Sequence, residues 1–229
     1  MRTAASTILL GIDTSTQQIG VALYDGSKVI GEYTWETRDH HTVELAPAIE
    51  TAMQKSGLVI SDLGAVGIAT GPGSFTGLRI GMAFAKGLVM FKKLPLVGIP
   101  TLDGLAFAQG IQRIPIAAAL QAGRGRYVVS WYRRTGLKLK PAEFSEVLTP
   151  KELVTQINSK TLVCGDFNTE ERQILRKKRK LVKLASPAYC LRRPAYLSEL
   201  AWNRWQKGDT DDPAALSPTY LHYNQPALV

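Results

Sequence analysis

The sequence predicts an α/β fold made of two lobes that repeat one order of elements. Apolar strands alternate with amphipathic helices, the order strand–turn–strand–strand–helix–strand–helix occurs twice, and a seam near residues 100–114 separates the two runs. The repeat is one of element order and not of residues. We place the first lobe at residues 1–105 and the second at residues 106–229, with the last helix, over residues 195–207, and the tail in the second lobe.

The first lobe is expected to begin with three antiparallel strands. The stretch "TILLGID" is apolar throughout and predicts a buried strand, and an Asp-Gly pair at residue 25 marks a hairpin. A helix over residues 42–56 and a buried strand over residues 63–70 follow. A second helix is expected from about Gly77 to Phe91, then the strand "LPLVGIP" and a helix with Thr101 as its N-cap.

The second lobe repeats this order. Residues 114–134 predict a strand, a glycine-containing turn and a second strand, and "GLKLKPAEFSEVL" can supply a third. Thr149 and Glu152 have the spacing of a capping box at the start of a helix. The strand "TLVCGD", the helix "NTEERQILRKK" and a final helix that ends at Gly208 complete the lobe.

Composition indicates an ordinary globular domain of the reducing cytoplasm. Of 229 residues, 45% are hydrophobic and 21% charged, and no apolar stretch has the length of about 18 residues that a membrane span needs. The short apolar run at the start ends in Asp13, so it reads as a strand and not as a signal peptide. Cys164 and Cys190 form neither a metal spacing nor a disulfide framework.

Positive charge is concentrated in the second half of the chain. The net charge is +9, and residues 1–114 contain as many basic as acidic residues, so the whole excess lies in residues 115–229. The densest run is "RKKRKLVK", Arg176–Lys183. Such a run can bind a polyanion through its phosphates, or it can be a solvated helix end; both interpretations stay open here.

A glycine-rich stretch, "GPGSFTGLRIG", lies at a predicted strand–helix junction of the first lobe. It lacks the lysine of a P-loop and the glycine spacing of a dinucleotide-binding loop. Ser74 and Thr76 can cap the helix, or the first N–H groups of the helix can meet an anion. Within the helix, Gly77, Gly81 and Ala85 form a bare stripe, which suggests that another helix, of this chain or of a partner, approaches closely.

Other polar motifs give weaker signals. Asp13, Thr14 and Ser15 end the first strand, where a turn can wrap a phosphate or a carboxylate can hold a metal; an ordinary hairpin is the alternative. The corresponding place in the second lobe has Gln121, a neutral amide that is a poor ligand for Mg²⁺. The pair His40-His41 has no third ligand nearby, so we expect no metal site, and no nucleophile–base set indicates a catalytic residue.

Four stretches together carry a resemblance to a known family: "ILLGIDTSTQQIGVALYDG", "GPGSFTGLRIGMAFAKGL", "LPLVGIPTLDGLA" and "DDPAALSPTYLH". The chain resembles the bacterial TsaB family, also called YeaZ, over its whole length. The resemblance implies two RNase-H-like lobes of the actin-like, sugar-kinase and Hsp70 ATPase superfamily, with mixed sheets flanked by helices.

The resemblance also implies a role in making threonylcarbamoyladenosine beside the anticodon of tRNAs that read codons starting with A. It implies a non-catalytic scaffold that pairs with the catalytic paralogue TsaD, recruits the ATPase TsaE and forms a homodimer when alone. No cofactor is expected for the chain by itself, and a nucleotide is expected only at an interface with partners. Weak or indirect tRNA contact through the basic second lobe is a further expectation.

The resemblance assigns roles to residues by position. Asp13, Thr14 and Ser15 match a vestigial phosphate loop, and a His-Thr pair at His41 and the terminal Tyr220-Leu221, here followed by His222, match further family positions. The signature loop corresponds to Gly71, Gly73, Ser74, Phe75, Thr76, Gly77 and Arg79. We predict a partner interface on the first two helices, at Leu45, Ile49, Met53, Gly77, Leu78, Gly81, Met82 and Ala85.

Two other functions compete with the scaffold. An ATP-dependent phosphotransferase or hydrolase would use the fold and Asp13, but the second acid and the phosphate-binding lysine are missing. A basic tRNA-binding module would use the charge of the second lobe. A peptidase lacks any metal triad or nucleophile pair in the sequence.

Overall fold

The computed structural model describes residues 8–37, 41–136, 138–142 and 144–220, with the side chain of His41 outside that description. The first of its two sheets is mixed: one hairpin arm runs antiparallel to the central strand, and two strands run parallel to it. Its strands are β1 (Ile8–Asp13), β2 (Gln18–Tyr24), β3 (Val29–Glu36), β4 (Leu63–Gly71) and β5 (Leu96–Pro100), in the order β3-β2-β1-β4-β5.

The second sheet repeats this arrangement. Its strands are β6 (Ile116–Gln121), β7 (Tyr127–Thr135), β8 (Lys138–Pro141), β9 (Glu146–Leu148), β10 (Thr161–Gly165) and β11 (Val182–Leu184), in the order β11-β10-β6-β7-β8, with β9 paired to β7. In both sheets the first strand is central, a hairpin lies on one side of it and parallel strands lie on the other. The predicted duplication of element order is therefore confirmed.

Helices cover the faces of both sheets. They are α1 (His41–Lys55), α2 (Phe75–Lys92), α3 (Thr101–Phe107), α4 (Pro150–Gln156), α5 (Thr169–Arg176) and α6 (Pro194–Trp205), with 3₁₀ turns at Ile60–Asp62 and Pro187–Tyr189. Within the described residues, none of these helices has the length and apolar character needed to cross a bilayer.

Three helix ends differ from the prediction. Helix α2 begins two residues early because the Ser74 hydroxyl accepts a hydrogen bond from the Gly77 N–H and caps the helix. Helix α6 ends at Trp205, before the turn that contains Gly208. Thr101 is not an N-cap: it is the first residue of α3, directly after Pro100, and its hydroxyl has no hydrogen-bond partner among the described atoms.

Both faces of β1 are buried, which explains why its sequence does not alternate. Leu10 and Ile12 belong to the core beneath α1 and α2, together with Leu45 of α1. Leu9 faces the opposite side and packs with Leu197 of α6. The sheet is thus the middle layer of a helix–sheet–helix arrangement.

Each of the two helices that end a repeat covers the sheet of the other repeat. Helix α6, which the sequence analysis placed with the second lobe, packs across the first sheet through Leu197 and Ala201. Helix α3 lies at the end of the first lobe in sequence, yet Leu102 and Leu105 lie in the core of the second sheet. The chain order alone could not reveal this, because both helices have apolar faces that fit either sheet.

Helix α6 lies very close to the strands that it covers. A Cβ atom at Gly67 of β4 would stand 2.7 Å from the Cβ of Ala201. At Gly11 of β1, a Cβ would stand 2.0 Å from the Ser198 hydroxyl oxygen. The lack of a side chain at Gly11 and Gly67 therefore allows α6 to pack this closely on the strands.

Candidate functional site

The turn after β1 is closed by its own side chains. The Asp13 carboxylate accepts hydrogen bonds from the Ser15 N–H at 2.8 Å and from the Ser15 hydroxyl at 2.6 Å, through the same oxygen. Asp13, Thr14 and Ser15 are all buried. The residues predicted to be a phosphate loop thus stabilise a turn among themselves.

This turn also anchors helix α2. The Thr14 hydroxyl donates a hydrogen bond to the Gly77 carbonyl oxygen at 2.8 Å. A Cβ atom at Gly81 would lie 2.1 Å from the Thr14 hydroxyl oxygen, so only glycine fits here without a shift of its neighbour. The bare stripe of α2 therefore receives the side chain of Thr14, from the same chain.

The glycine-rich loop packs on the same turn. The Ser74 N–H donates to the Ser15 carbonyl oxygen at 2.6 Å, and a Cβ atom at Gly73 would lie 2.1 Å from that oxygen. Two loops at the carboxyl ends of β1 and β4 are thereby joined backbone to backbone. The glycines serve this close approach, and the loop's first helical N–H groups are partly used by the Ser74 cap.

Arg79 of the signature stretch holds the end of the described chain against α2. Its guanidinium carbon lies 3.8 Å from the centre of the Phe75 ring, and its Nε donates to the Tyr220 hydroxyl at 3.0 Å. The Phe75 and Tyr220 rings are 5.0 Å apart. Thr76 is exposed beside them, whereas Leu221 and His222 lie outside the described residues.

A cleft of about 580 Å³ opens between the two lobes beside these loops. Arg192 crosses it: one guanidinium nitrogen contacts the Asp166 carboxylate at 2.5 Å, and another donates to the Thr16 hydroxyl. The Arg192 side chain is only 6% exposed. Gln121 lines the same cleft from the end of β6.

The sequence analysis missed Arg192 and Asp166 as site residues. It counted Arg192 only as part of the basic second half, and it counted Asp166 only as the end of the strand "TLVCGD". A signal was present in the order of the elements. Asp166 directly follows β10, and β10 has the place in the second sheet that β4, which leads into the glycine-rich loop, has in the first. The bond across the lobes required three-dimensional information.

The structure groups no metal ligands within the residues that it describes: no three His, Cys, Asp or Glu side chains are placed so as to hold an ion. His40 and the side chain of His41 fall outside those residues. Cys164 and Cys190 are both buried free thiols, and burial raises the pKa of each.

Comparison with known proteins identifies the family. The model of the family described as "TsaD: tRNA N6-adenosine threonylcarbamoyltransferase" matches residues 29–191. Two curated proteins named "tRNA threonylcarbamoyladenosine biosynthesis protein TsaB" are similar. That of Escherichia coli (strain K12) is 33% identical over 64% of this chain and 64% of its own. That of Buchnera aphidicola subsp. Schizaphis graminum (strain Sg) is 30% identical over 70% of this chain and 79% of its own. The chain belongs to the TsaB (YeaZ) family.

Solved structures agree with this on the level of the fold. "YeaZ from Pseudomonas aeruginosa" superposes with a TM-score of 0.76 at 22% identity, covering 94% of this chain and all of its own. A ROK hexokinase from Thermus thermophilus superposes with a TM-score of 0.52 at 11% identity, covering 88% of this chain and all of its own. The predicted two-lobed fold, shared with sugar kinases, is confirmed.

The partner interface predicted from the TsaB resemblance is wrong in its residues. All of them are buried inside this chain. Most belong to the core between the first sheet and the two helices, and Gly81 receives Thr14. The apolar stripes face inward because they cover the sheet. The residues concerned are Leu45, Ile49, Met53, Gly77, Leu78, Gly81, Met82 and Ala85.

The outer face of the same two helices is apolar and exposed. Phe91 is 82% exposed, Met90 73% and Val43 65%. Gly87 is exposed as well, and a Cβ atom built there meets nothing within 4 Å. Exposed Ala83 lies one helical turn before Gly87. In this TsaB-family chain the accessible small-residue position of α2 is thus Gly87 and not Gly81.

A buried acidic group lies away from the cleft. The Tyr132 hydroxyl donates to the Asp103 carboxylate at 2.7 Å, which joins α3 to β7. Burial raises the pKa of Asp103, and the hydrogen bond from Tyr132 opposes that rise. Burial and the Asp103 charge both raise the pKa of Tyr132, so the tyrosine stays protonated and remains a donor.

Proposed function

We propose that this protein is a non-catalytic subunit in the biosynthesis of threonylcarbamoyladenosine in tRNA. Its relatives carry that process in their names. The observation that carries the proposal is the interlobe cleft, where Gln121 stands at the end of β6 and Arg192 spans the lobes. Gln121 is a neutral amide and a poor ligand for Mg²⁺, and Arg192 adds a positive charge where a triphosphate-bound Mg²⁺ would need acids.

The alternative is an ATP-dependent phosphotransferase or hydrolase. It would need carboxylates that hold Mg²⁺ at the phosphates. Among the described residues, two carboxylates line the cleft: Asp166 is paired with Arg192, and Glu36 is exposed at the end of β3. The Arg192 guanidinium in the same cleft repels Mg²⁺. We therefore propose that the chain binds no nucleotide by itself and that any nucleotide lies at an interface with a partner.

We infer that the partner surface is the outer face of α1 and α2. It contains Val43, Ala83, Gly87, Met90 and Phe91. Its large apolar side chains are mostly exposed to solvent, and an exposed apolar patch is typical of an interaction surface. The small residues Ala83 and Gly87 let a second helix approach, while Met90 and Phe91 supply apolar area. We propose that the paralogue TsaD covers this face and that a second copy of the chain covers it in the absence of TsaD. Recruitment of TsaE would follow from that pairing.

The proposal is tested by reconstitution with TsaD, TsaE, tRNA and a source of threonylcarbamoyl-adenylate. The protein alone is expected to turn over neither ATP nor tRNA, and its addition is expected to restore modification by TsaD. Steady ATP turnover by the purified protein, with no effect on TsaD, would overturn the proposal in favour of the enzyme.

The surface is tested with Gly87→Arg. An arginine has room at this position in the folded monomer, so the protein stays folded while the helix pairing is blocked. TsaD capture and self-association are expected to weaken at least tenfold, a loss of about 1.4 kcal/mol or more. The matched control is Ala188→Arg, an exposed position in the second lobe. Equal binding by both variants would exclude this face.

A further inference from the structure

A groove crosses the edge of the second lobe, far from the interlobe cleft in sequence and in the sheet. It has a volume of about 650 Å³ and lies between β7, the start of the β8–β9 connection and the loop after α4. Trp131, Arg133 and Lys140 line one wall, and residues 156–159 line the other. Trp131 is half-buried, and its indole N–H donates to the Glu146 carboxylate at 3.3 Å.

The groove leads towards the densest basic run of the chain. Thr161, which lines the groove, pairs with Val182, and its N–H donates to the Leu181 carbonyl oxygen at 2.8 Å. Lys160 therefore stands beside the turn that follows α5. Lys178 fixes this turn to α4, because its ammonium group donates to the Val154 carbonyl oxygen at 3.1 Å.

We call this surface the basic face. All of its cations are exposed, and none of them forms an ion pair within the residues that the structure describes. Its members are Arg133, Lys140, Lys160, Arg176, Lys177, Arg179 and Lys180.

A helix end explains only part of this charge. Cations in the last turn of a helix interact favourably with the helix dipole, and Arg176 in α5 has that position. The dipole acts within one turn, whereas Arg133 lies in β7 and Lys140, its cross-strand neighbour, in β8. Like charges held on rigid elements repel one another, so their collection on one face costs stability unless an anion joins them.

We propose that the basic face binds RNA: its cations contact successive phosphates, and Trp131 stacks on an unpaired base at the groove. This deepens the proposed function, on which it rests for the choice of RNA as the polyanion. Cationic grooves lined by an aromatic side chain are the usual means of binding single-stranded nucleic acid, and the half-buried Trp131 lines this groove. The face is separate from the outer face of α1 and α2, so RNA and TsaD can be bound together.

The test is a titration of a fluorescently labelled full-length tRNA transcript with the intact protein over a series of salt concentrations. The logarithm of the affinity is expected to fall linearly with the logarithm of the salt concentration. The triple variant Arg176→Glu, Lys177→Glu, Lys180→Glu should bind at least tenfold more weakly at low salt. Its salt dependence should be shallower by about two to three units of slope.

The matched control reverses three exposed lysines of the first lobe, Lys28→Glu, Lys55→Glu and Lys93→Glu, with the same change of net charge. Equal losses in the two triple variants, or no tRNA binding by the native protein, would overturn the basic face. TsaD capture by both variants is measured alongside, so that a failed RNA site is distinguished from a failed scaffold. Equal competition by polyglutamate would assign the face to an acidic protein instead.

The stacking step is tested with a single-stranded RNA oligonucleotide. Trp131→Ala is expected to bind it at least fivefold more weakly, while Trp131→Phe, which keeps an aromatic ring and the packing beneath it, should bind as the native protein does. The same loss with phenylalanine, or none with alanine, would remove Trp131 from the site.

Discussion

At the scale of single residues, glycine has two different roles on helix α2. Gly81 receives Thr14 from the turn after β1, whereas Gly87 faces open space on the opposite side. The spacing of small residues predicted that another helix approaches this stripe, whereas the close neighbour of Gly81 is the Thr14 hydroxyl. The sequence could not distinguish the two, because an internal hydroxyl and a second helix require the same bare Cα position.

We expect Gly81→Ala to destabilise the protein by about 1–3 kcal/mol. The new methyl group must displace the Thr14 hydroxyl and with it the hydrogen bond to the Gly77 carbonyl oxygen. The measurement is the free energy of unfolding of the variant and of the native protein, obtained by urea denaturation. Gly87→Ala is the control on the same helix: it meets no atom within 4 Å, and it should raise stability by about 0.5–1 kcal/mol. A stable Gly81→Ala variant would contradict the packing described here.

At the scale of elements, the strands and helices were largely predictable, and their partners were not. The unbroken apolar run of β1 indicated burial on two sides, and the Thr149–Glu152 capping box is present as predicted. Nothing in the helical pattern of α6 indicated that it covers the first sheet. Leu197 and Ala201 make an apolar stripe that would suit either sheet, and the choice depends on glycines in distant strands.

The contact between α3 and β7 gives a pH-dependent prediction. Because burial raises the pKa of Asp103, the folded protein holds this proton more tightly than the unfolded chain does. The contribution of Asp103 to stability is therefore greatest below about pH 4, the ordinary pKa of aspartate, and is lost as the pH rises through the pKa that Asp103 has in the folded state. Asp103→Asn should remove this loss, so its stability relative to the native protein should increase from pH 4 to pH 7.

Tyr132→Phe should have the opposite effect. It removes the hydrogen bond that favours the charged carboxylate, which raises the pKa of Asp103 further and deepens the loss of stability towards neutral pH. Glu152→Gln is a control of reversed sign, because the hydrogen bonds with Thr149 lower the pKa of Glu152. It should lose stability at neutral pH and match the native protein in acid. A constant difference in stability between the native protein and the Asp103→Asn variant at every pH would refute the assignment.

At the scale of the whole molecule, Arg192 is the residue that connects the lobes at the cleft. The sequence indicated a phosphate loop and an absent second acid, and Asp13 and Gln121 are at the places expected for them. The filling of the cleft by an arginine was not predictable, since its partners Thr16 and Asp166 are distant in sequence.

We expect Arg192→Gln to loosen the cleft without unfolding the lobes. It leaves Asp166 without its ionic partner and removes the bridge to Thr16, so amide hydrogen exchange should accelerate at residues 14–17 and 166–168. Arg193→Gln is the neighbouring control: it removes the ion pair between the half-exposed Arg193 and Glu32 of β3, away from Thr16 and Asp166, and should leave exchange at residues 14–17 and 166–168 unchanged. Unchanged exchange at both loops in Arg192→Gln would show that the bridge does not restrain the lobes.

The crossing of α3 and α6 makes the two lobes depend on each other. The terminal helix of the second copy of the repeated unit covers the first sheet, and the terminal helix of the first copy covers the second sheet. A cut of the chain near residue 114 would therefore separate each sheet from the helix that covers it: the first fragment would lack α6, and the second would lack α3.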